Sequence, residues 1–232
     1  MDVFEAMGTC RAMRYLKPDP VPAELVERLI WAATRAPSPG NSQGWDFVVV
    51  DDADPKRRIA HAVRAAMAER VAAMSRPDRT TQLMLDGTAK LIDTLDQAPL
   101  IIFVTGPVIY PPGAPREQFT WSALYPAAQN ILLAARALGL GATFTTLHNS
   151  AEPTVREVLG LPETTKIAVT IPVGWPAASF GPVTRRPVGD FIHHNHWEGD
   201  KRAVGTGGAA SAHELQHRTT EKSSPQGADI SM

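Results

Sequence analysis

The chain has 232 residues, 44% of them hydrophobic and 20% charged, with a formal net charge of -1. That apolar share builds a substantial core and excludes wholesale disorder, and the near-neutral balance removes any generic electrostatic case for a nucleic-acid or anionic-membrane partner. No apolar run approaches the ~20 residues that span a bilayer, the start Met1-Asp2-Val3-Phe4-Glu5 lacks the pattern of a secretion signal, and the single cysteine, Cys10, suits a reducing compartment, so a cytoplasmic globular protein is expected.

In chain order, the first predicted helix opens at Pro22, a residue suited to a first helical turn. Leu25, Leu29, Ala32 and Ala33 then share a face, and Pro37 forbids continuation. Residues 47–50 read as a short, fully buried strand. Asp54-Pro55 marks the next helix start, with Asp54 as its cap, and Ile59, Val63, Ala66 and Met67 point inward. A break at 75–79 precedes a helix over 83–95. Residues 100–104 form a second buried strand, followed by a Pro- and Gly-rich loop, 106–115, bearing Tyr110. The stretch 121–138 is a long helix, apolar nearly all round and therefore expected to be central, with Gly139 at its end. Two further strands, 142–147 and 166–173, flank a short helix at 154–159. Beyond Trp197 the chain turns rich in Gly, Ala, Ser and Thr. Such a segment buries too little surface to offset its ordering entropy, so 1–197 is expected to form one domain and 198–232 a disordered tail.

Three motif matches lose on context. His213 and His217 satisfy a zinc-protease spacing, but in the tail and without a third ligand. Gly205-Thr206-Gly207-Gly208-Ala209-Ala210 fits a dinucleotide fingerprint with no strand before it, and Gly139-Leu140-Gly141 follows a helix instead of a strand. The run His193-His194-Asn195-His196 reads more simply as packed and solvated imidazoles than as a metal site, so no metal is expected. With no nucleophile elbow either, no protein-borne reaction centre emerges, which points to a bound cofactor.

Four segments present anion binders or small hydrogen-bonding residues at element edges. Arg11 and Arg14 place two guanidiniums at a helix end, suited to phosphate or an anionic ring edge. The loop Arg35-Ala36-Pro37-Ser38-Pro39-Gly40-Asn41-Ser42-Gln43-Gly44-Trp45 is stiffened by prolines and carries neutral donors and acceptors. Thr145-Thr146-Leu147-His148-Asn149 lies at a strand end, and Arg185-Arg186-Pro187 comes late in the chain.

Together these segments resemble the FMN-dependent nitroreductase family. The family's opening Arg-Arg-Ser-x-Arg is matched by Cys10-Arg11-Ala12-Met13-Arg14, and its Ala-Pro-Ser-x-x-Asn-x-Gln-x-Trp by Ala36 through Trp45. Ala134 through Gly141 and Arg185-Arg186-Pro187-Val188 also match, so the likeness covers residues 3–197. The resemblance implies an α+β fold, a mixed sheet flanked by helices, in an intertwined homodimer with FMN at the interface. It implies FMN contacts from Arg11, Ala12, Arg14, Pro37, Ser38, Asn41, Gln43, Thr145, Thr146, Leu147 and Arg185. Thr146 is the expected catalytic residue, tuning the flavin through a hydrogen bond to its reactive ring nitrogen. NAD(P)H is then the co-substrate, and a nitroaromatic, quinone or activated alkene the acceptor. Alternatives on the same flavin are reductive dehalogenation, biosynthetic dehydrogenation, or flavin sequestration without turnover. Cys10 and Ala12 depart from the pattern, and each removes a phosphate donor.

Overall fold

A computed structural model describes residues 1–75 and 77–197. In chain order it contains α1 (Val3–Thr9), α2 (Ala23–Ala33), β1 (Asp46–Val50), α3 (Ala53–Ala73), α4 (Arg79–Asp93), β2 (Leu100–Pro107), α5 (Glu117–Ala137), β3 (Gly141–Ala142), α6 (Glu152–Leu159) and β4 (Thr165–Gly174), with short 3-10 turns between them. The chain divides into two compact units, Cys10–Gly181 and a smaller one joining Met1–Thr9 to the segment from Pro182 onward.

The larger unit is a four-stranded sheet in the order β1-β2-β4-β3. All three pairings are antiparallel, and with the helices around them they give the expected α+β class. β2 shows why the sequence reads as continuously apolar: its alternate residues serve two cores. Leu100, Ile102 and Val104 face a cluster with α2 and α5 that includes Leu29, Leu124 and Ile131. Ile101 and Phe103 face a second cluster with α3, α4 and α6 that includes Ile59, Val63, Leu91 and Val155. Helices thus cover both faces, the arrangement that demands apolar residues at every strand position. β1 is the exception, an edge strand whose Phe47, Val48 and Val49 are only half-buried.

Several boundaries move for local reasons. α3 starts after Asp52, which makes no side-chain capping hydrogen bond, and the expected cap Asp54 lies in the first turn instead. α4 begins at Arg79 because the Asp78 carboxylate accepts from the Thr81 N–H at 2.8 Å. α5 stops as predicted: Gly139 takes φ 79°, and Leu140 N–H donates back to Ala135 O at 2.8 Å. α5 is not buried all round, however; Tyr125 and Gln129 leave one face open. The expected strand over 142–147 is cut to two residues. Thr143 Oγ1 donates to Met13 O at 2.6 Å, and Thr145 rejoins β4 only through an isolated bridge to Thr170. Side-chain hydroxyls competing for backbone partners break the ladder there.

The smaller unit holds α1, which was missed in the sequence. Its signal is Asp2 followed three residues later by Glu5, whose N–H donates to Asp2 Oδ1 at 2.9 Å. Val183 N–H donates to Gly8 O at 2.9 Å, and Arg186 lies over the Phe191 ring.

Candidate functional site

Arg11 and Arg14 are not on a helix; they belong to an extended segment held beside β3. Met13 N–H donates to Ala142 O at 3.0 Å, Thr143 Oγ1 donates to Met13 O, and Lys17 N–H donates to Trp175 O at 2.8 Å. Met13 is buried against Gly141. The Arg14 stem rests on Gly87 of α4, and the Arg11 guanidinium lies beside Gly181. Burial above all, together with the like charge of Arg11, holds the Arg14 guanidinium below the usual arginine value, while Tyr15 acts the other way. Among the described ion pairs none involves either arginine. Two cations that repel each other, with no ion pair among the described residues, form a site that an anion would stabilise. Cys10 next to them stays a thiol: burial raises its pKa, and Arg136 offsets that only partly.

The loop after α2 is unusual in its backbone. Gly40, Asn41 and Gln43 all have positive φ, at 59°, 51° and 48°. Left-handed non-glycine residues are uncommon, and two within three positions mark a conformation the surroundings impose. Ser38 shapes the turn from inside, its Oγ accepting from Gln43 N–H at 3.0 Å and its carbonyl from Asn41 N–H at 3.0 Å. Pro37, Asn41 and Gln43 are exposed, so both amides remain open to a ligand.

The third segment divides its labour. Thr145 Oγ1 donates to Thr170 O at 2.9 Å and is committed to the fold. The Leu147 side chain is buried in the second cluster, leaving only its backbone for a ligand. Thr146 is exposed at the start of a 3-10 turn, and among the described residues its hydroxyl makes no hydrogen bond. His148, which the sequence reading did not single out, is buried with Nδ1 2.9 Å from Thr170 Oγ1. Burial pushes its pKa below 6.5, against opposing effects of a backbone hydrogen bond at Ile167 and of Glu152. The unfolded chain takes up that proton near 6.5 while the folded ring resists it to a lower pH. Stability from this group is therefore complete above 6.5 and is lost as pH falls through the folded value. The urea midpoint is expected to drop below that pH, and the drop to shrink in His148→Gln.

Arg185 lies in the smaller unit, exposed, with Nη1 donating to Thr184 O at 2.8 Å. The spacings at 205–210 and 213–217 lie outside the described residues. Among the described residues no group of three or more His, Cys, Asp or Glu is placed to hold a metal, and no helix is long and apolar enough to cross a membrane. The sequence reading also missed an aromatic row in which Trp121 stacks on Tyr125 and Tyr125 meets Phe144, each at 6.0 Å. Its signal was the i, i+4 spacing of Trp121 and Tyr125 on one helix.

In kind, these donors fit a phosphorylated, planar, hydrogen-bonding cofactor: two guanidiniums and one hydroxyl without a partner among the described residues, and two exposed amides. Rat (Rattus norvegicus) iodotyrosine deiodinase 1 is 31% identical over 180 residues, 76% of this chain and 62% of its own length, so this chain spans about three fifths of that relative. A crystal structure of iodotyrosine deiodinase bound to FMN and 3-iodo-L-tyrosine superposes with a TM-score of 0.69 at 21% identity, covering 84% of this chain and 100% of that one. A Desulfovibrio desulfuricans protein assigned as a nitroreductase, solved with FMN, gives a TM-score of 0.63 at 25% identity, covering 83% and 95%. The family model described as "Nitroreductase family" matches residues 9–175, and the chain belongs to that family.

Proposed function

We propose that the protein is an FMN-dependent oxidoreductase that passes reducing equivalents from NAD(P)H to a small electrophilic acceptor such as a nitroaromatic, a quinone or an activated alkene. The observation that carries this is that Arg11 and Arg14, in no ion pair among the described residues, and a backbone-strained, amide-bearing loop both occur in a chain of the nitroreductase family. When bound, FMN supplies the electron transfer itself. The chain's own residues would then bind and orient it. Arg11 and Arg14 neutralise its phosphate or polar ring edge, with the Ala12 backbone between them. Pro37, Ser38, Asn41 and Gln43 line it, and Thr146, flanked by Thr145 and the Leu147 backbone, donates a hydrogen bond at its reactive nitrogen.

The second reading is reductive dehalogenation of a halogenated aromatic. It is favoured by the matches to iodotyrosine deiodinases and by the uncommitted Thr146 hydroxyl. A panel assay on the FMN-loaded protein separates the two. Steady-state NAD(P)H oxidation with a quinone or nitroaromatic supports the first, whereas halide release from a 3-halotyrosine, diminished in Thr146→Ala, supports the second. FMN binding without either turnover leaves a flavin-sequestering protein.

A homodimer belongs to this proposal. Tyr125 and Phe144, whose rings meet at 6.0 Å, are 44% and 41% exposed, and contiguous exposed apolar surface of this kind marks a candidate interface. A second copy is the occupant implied by the family resemblance. Sedimentation is expected at twice the chain mass, and a Tyr125→Asp variant is expected to shift toward a single chain. A monomer across micromolar concentrations contradicts the dimer.

A further inference from the structure

The loop over 108–116 follows β2 and carries no helix or strand of its own before α5. Its position is nevertheless tightly defined. Tyr110 packs edge-to-face on Phe119 of α5 at 5.4 Å and 86°, and Arg116 N–H donates to Tyr110 O at 3.0 Å. From that anchor the Tyr110 ring reaches the amide-bearing loop. A Cβ on Gly40 would overlap Tyr110 Cε2 and stand 3.0 Å from Cζ, and a Cβ on Gly44 would stand 2.9 Å from Ile109 Cδ1. Glycine at position 40 is therefore required twice over, for its positive φ and for the ring pressed against its α-carbon.

The loop's own hydrogen bonds do not account for its shape. Ser38 supplies a hydroxyl and a carbonyl to the turn, and Pro39 O accepts from Ser42 N–H. Those contacts close the turn but leave Gly40, Asn41 and Gln43 in conformations that cost energy for the two non-glycine residues. Such strain persists only where the surroundings over-determine it. The surroundings here include the Tyr110 ring against Gly40 and the Ile109 side chain against Gly44. We propose that Tyr110 is a positioning residue of the cofactor loop: its ring, wedged between Phe119 and Gly40, holds the left-handed backbone that turns the Asn41 and Gln43 amides outward.

The role in binding rests on the FMN reading; the wedge does not. Among the described residues the Tyr110 hydroxyl makes no hydrogen bond, so the ring alone carries the contact, and Tyr110→Phe is expected to match the parent protein. Tyr110→Ala frees the loop, and re-ordering two amide side chains on binding is expected to raise the FMN Kd roughly tenfold, with the kcat of fully loaded enzyme changed far less than that Kd. A four-protein cycle of parent, G40A, Y110A and G40A/Y110A tests the contact by urea unfolding without added cofactor. G40A is expected to lower the midpoint strongly in the parent and much less in the Y110A background, because the overlap is then gone and only the backbone strain remains. Equal G40A effects in both backgrounds overturn the wedge. A non-additive cycle with FMN Kd unchanged in Y110A overturns the positioning role while leaving the contact intact. A parent protein that binds no FMN, with the cycle still non-additive, sinks the cofactor reading and removes the binding role with it.

Discussion

Arg14→Ala is expected to weaken FMN binding by roughly 10- to 100-fold, because a hydrogen bond to a charged group contributes about 1.5–3 kcal/mol. The expectation follows from where the side chain sits. Its stem lies on Gly87, it is half-buried, and the neighbouring Arg11 charge is not offset by any described ion pair. A phosphate or polar ring edge would relieve that repulsion, so affinity and the local electrostatics change together. Arg14→Lys is expected to recover only part of the loss, since an ammonium keeps the charge but not the planar, two-pronged donor set. Arg11→Ala is expected to cost less, its guanidinium being exposed and less fixed. Flavin fluorescence titration of the three variants checks this. Parent-like affinity in Arg14→Ala means the phosphate is held elsewhere.

The largest effect on stability is expected from Phe103→Ala. Phe103 is fully buried at the centre of β2, facing the cluster formed with α3, α4 and α6. Truncating a buried phenylalanine costs about 3–5 kcal/mol through lost transfer energy and the cavity left behind. That is a large share of the ~5–15 kcal/mol that holds a typical domain folded. The urea midpoint is expected to fall accordingly at unchanged slope. Val48→Ala on the half-buried edge strand, by comparison, is expected to cost well under half as much. Similar losses at the two positions contradict the assignment of the sheet centre to β2.

What was legible in the sequence follows the strength of the physical signal. Strands β2 and β4 announced themselves because both faces of the sheet are covered, which leaves few polar positions to blur the pattern. The end of α5 was legible because Gly139 must adopt a left-handed conformation there. β3 was not, because its fate depends on Met13, 130 residues earlier, taking the Thr143 hydroxyl. The same holds in the site. Arg11, Arg14 and the 37–45 loop were found by residue type and order, yet the helix end supposed to present the arginines is an extended segment pinned on β3. Tyr110 sat in a stretch without periodicity, and only its contact with Gly40, 70 residues away, gives it meaning. Thr145 and Thr146 look alike in sequence; the bond from Thr145 to Thr170 separates a structural hydroxyl from a free one.

The most direct test is an absorbance spectrum of the purified 232-residue chain after incubation with FMN and gel filtration, taken anaerobically before and after NADPH. Flavin bands that travel with the protein and bleach on adding NADPH are the predicted result. Colourless protein with all the FMN eluting free would contradict the central claim.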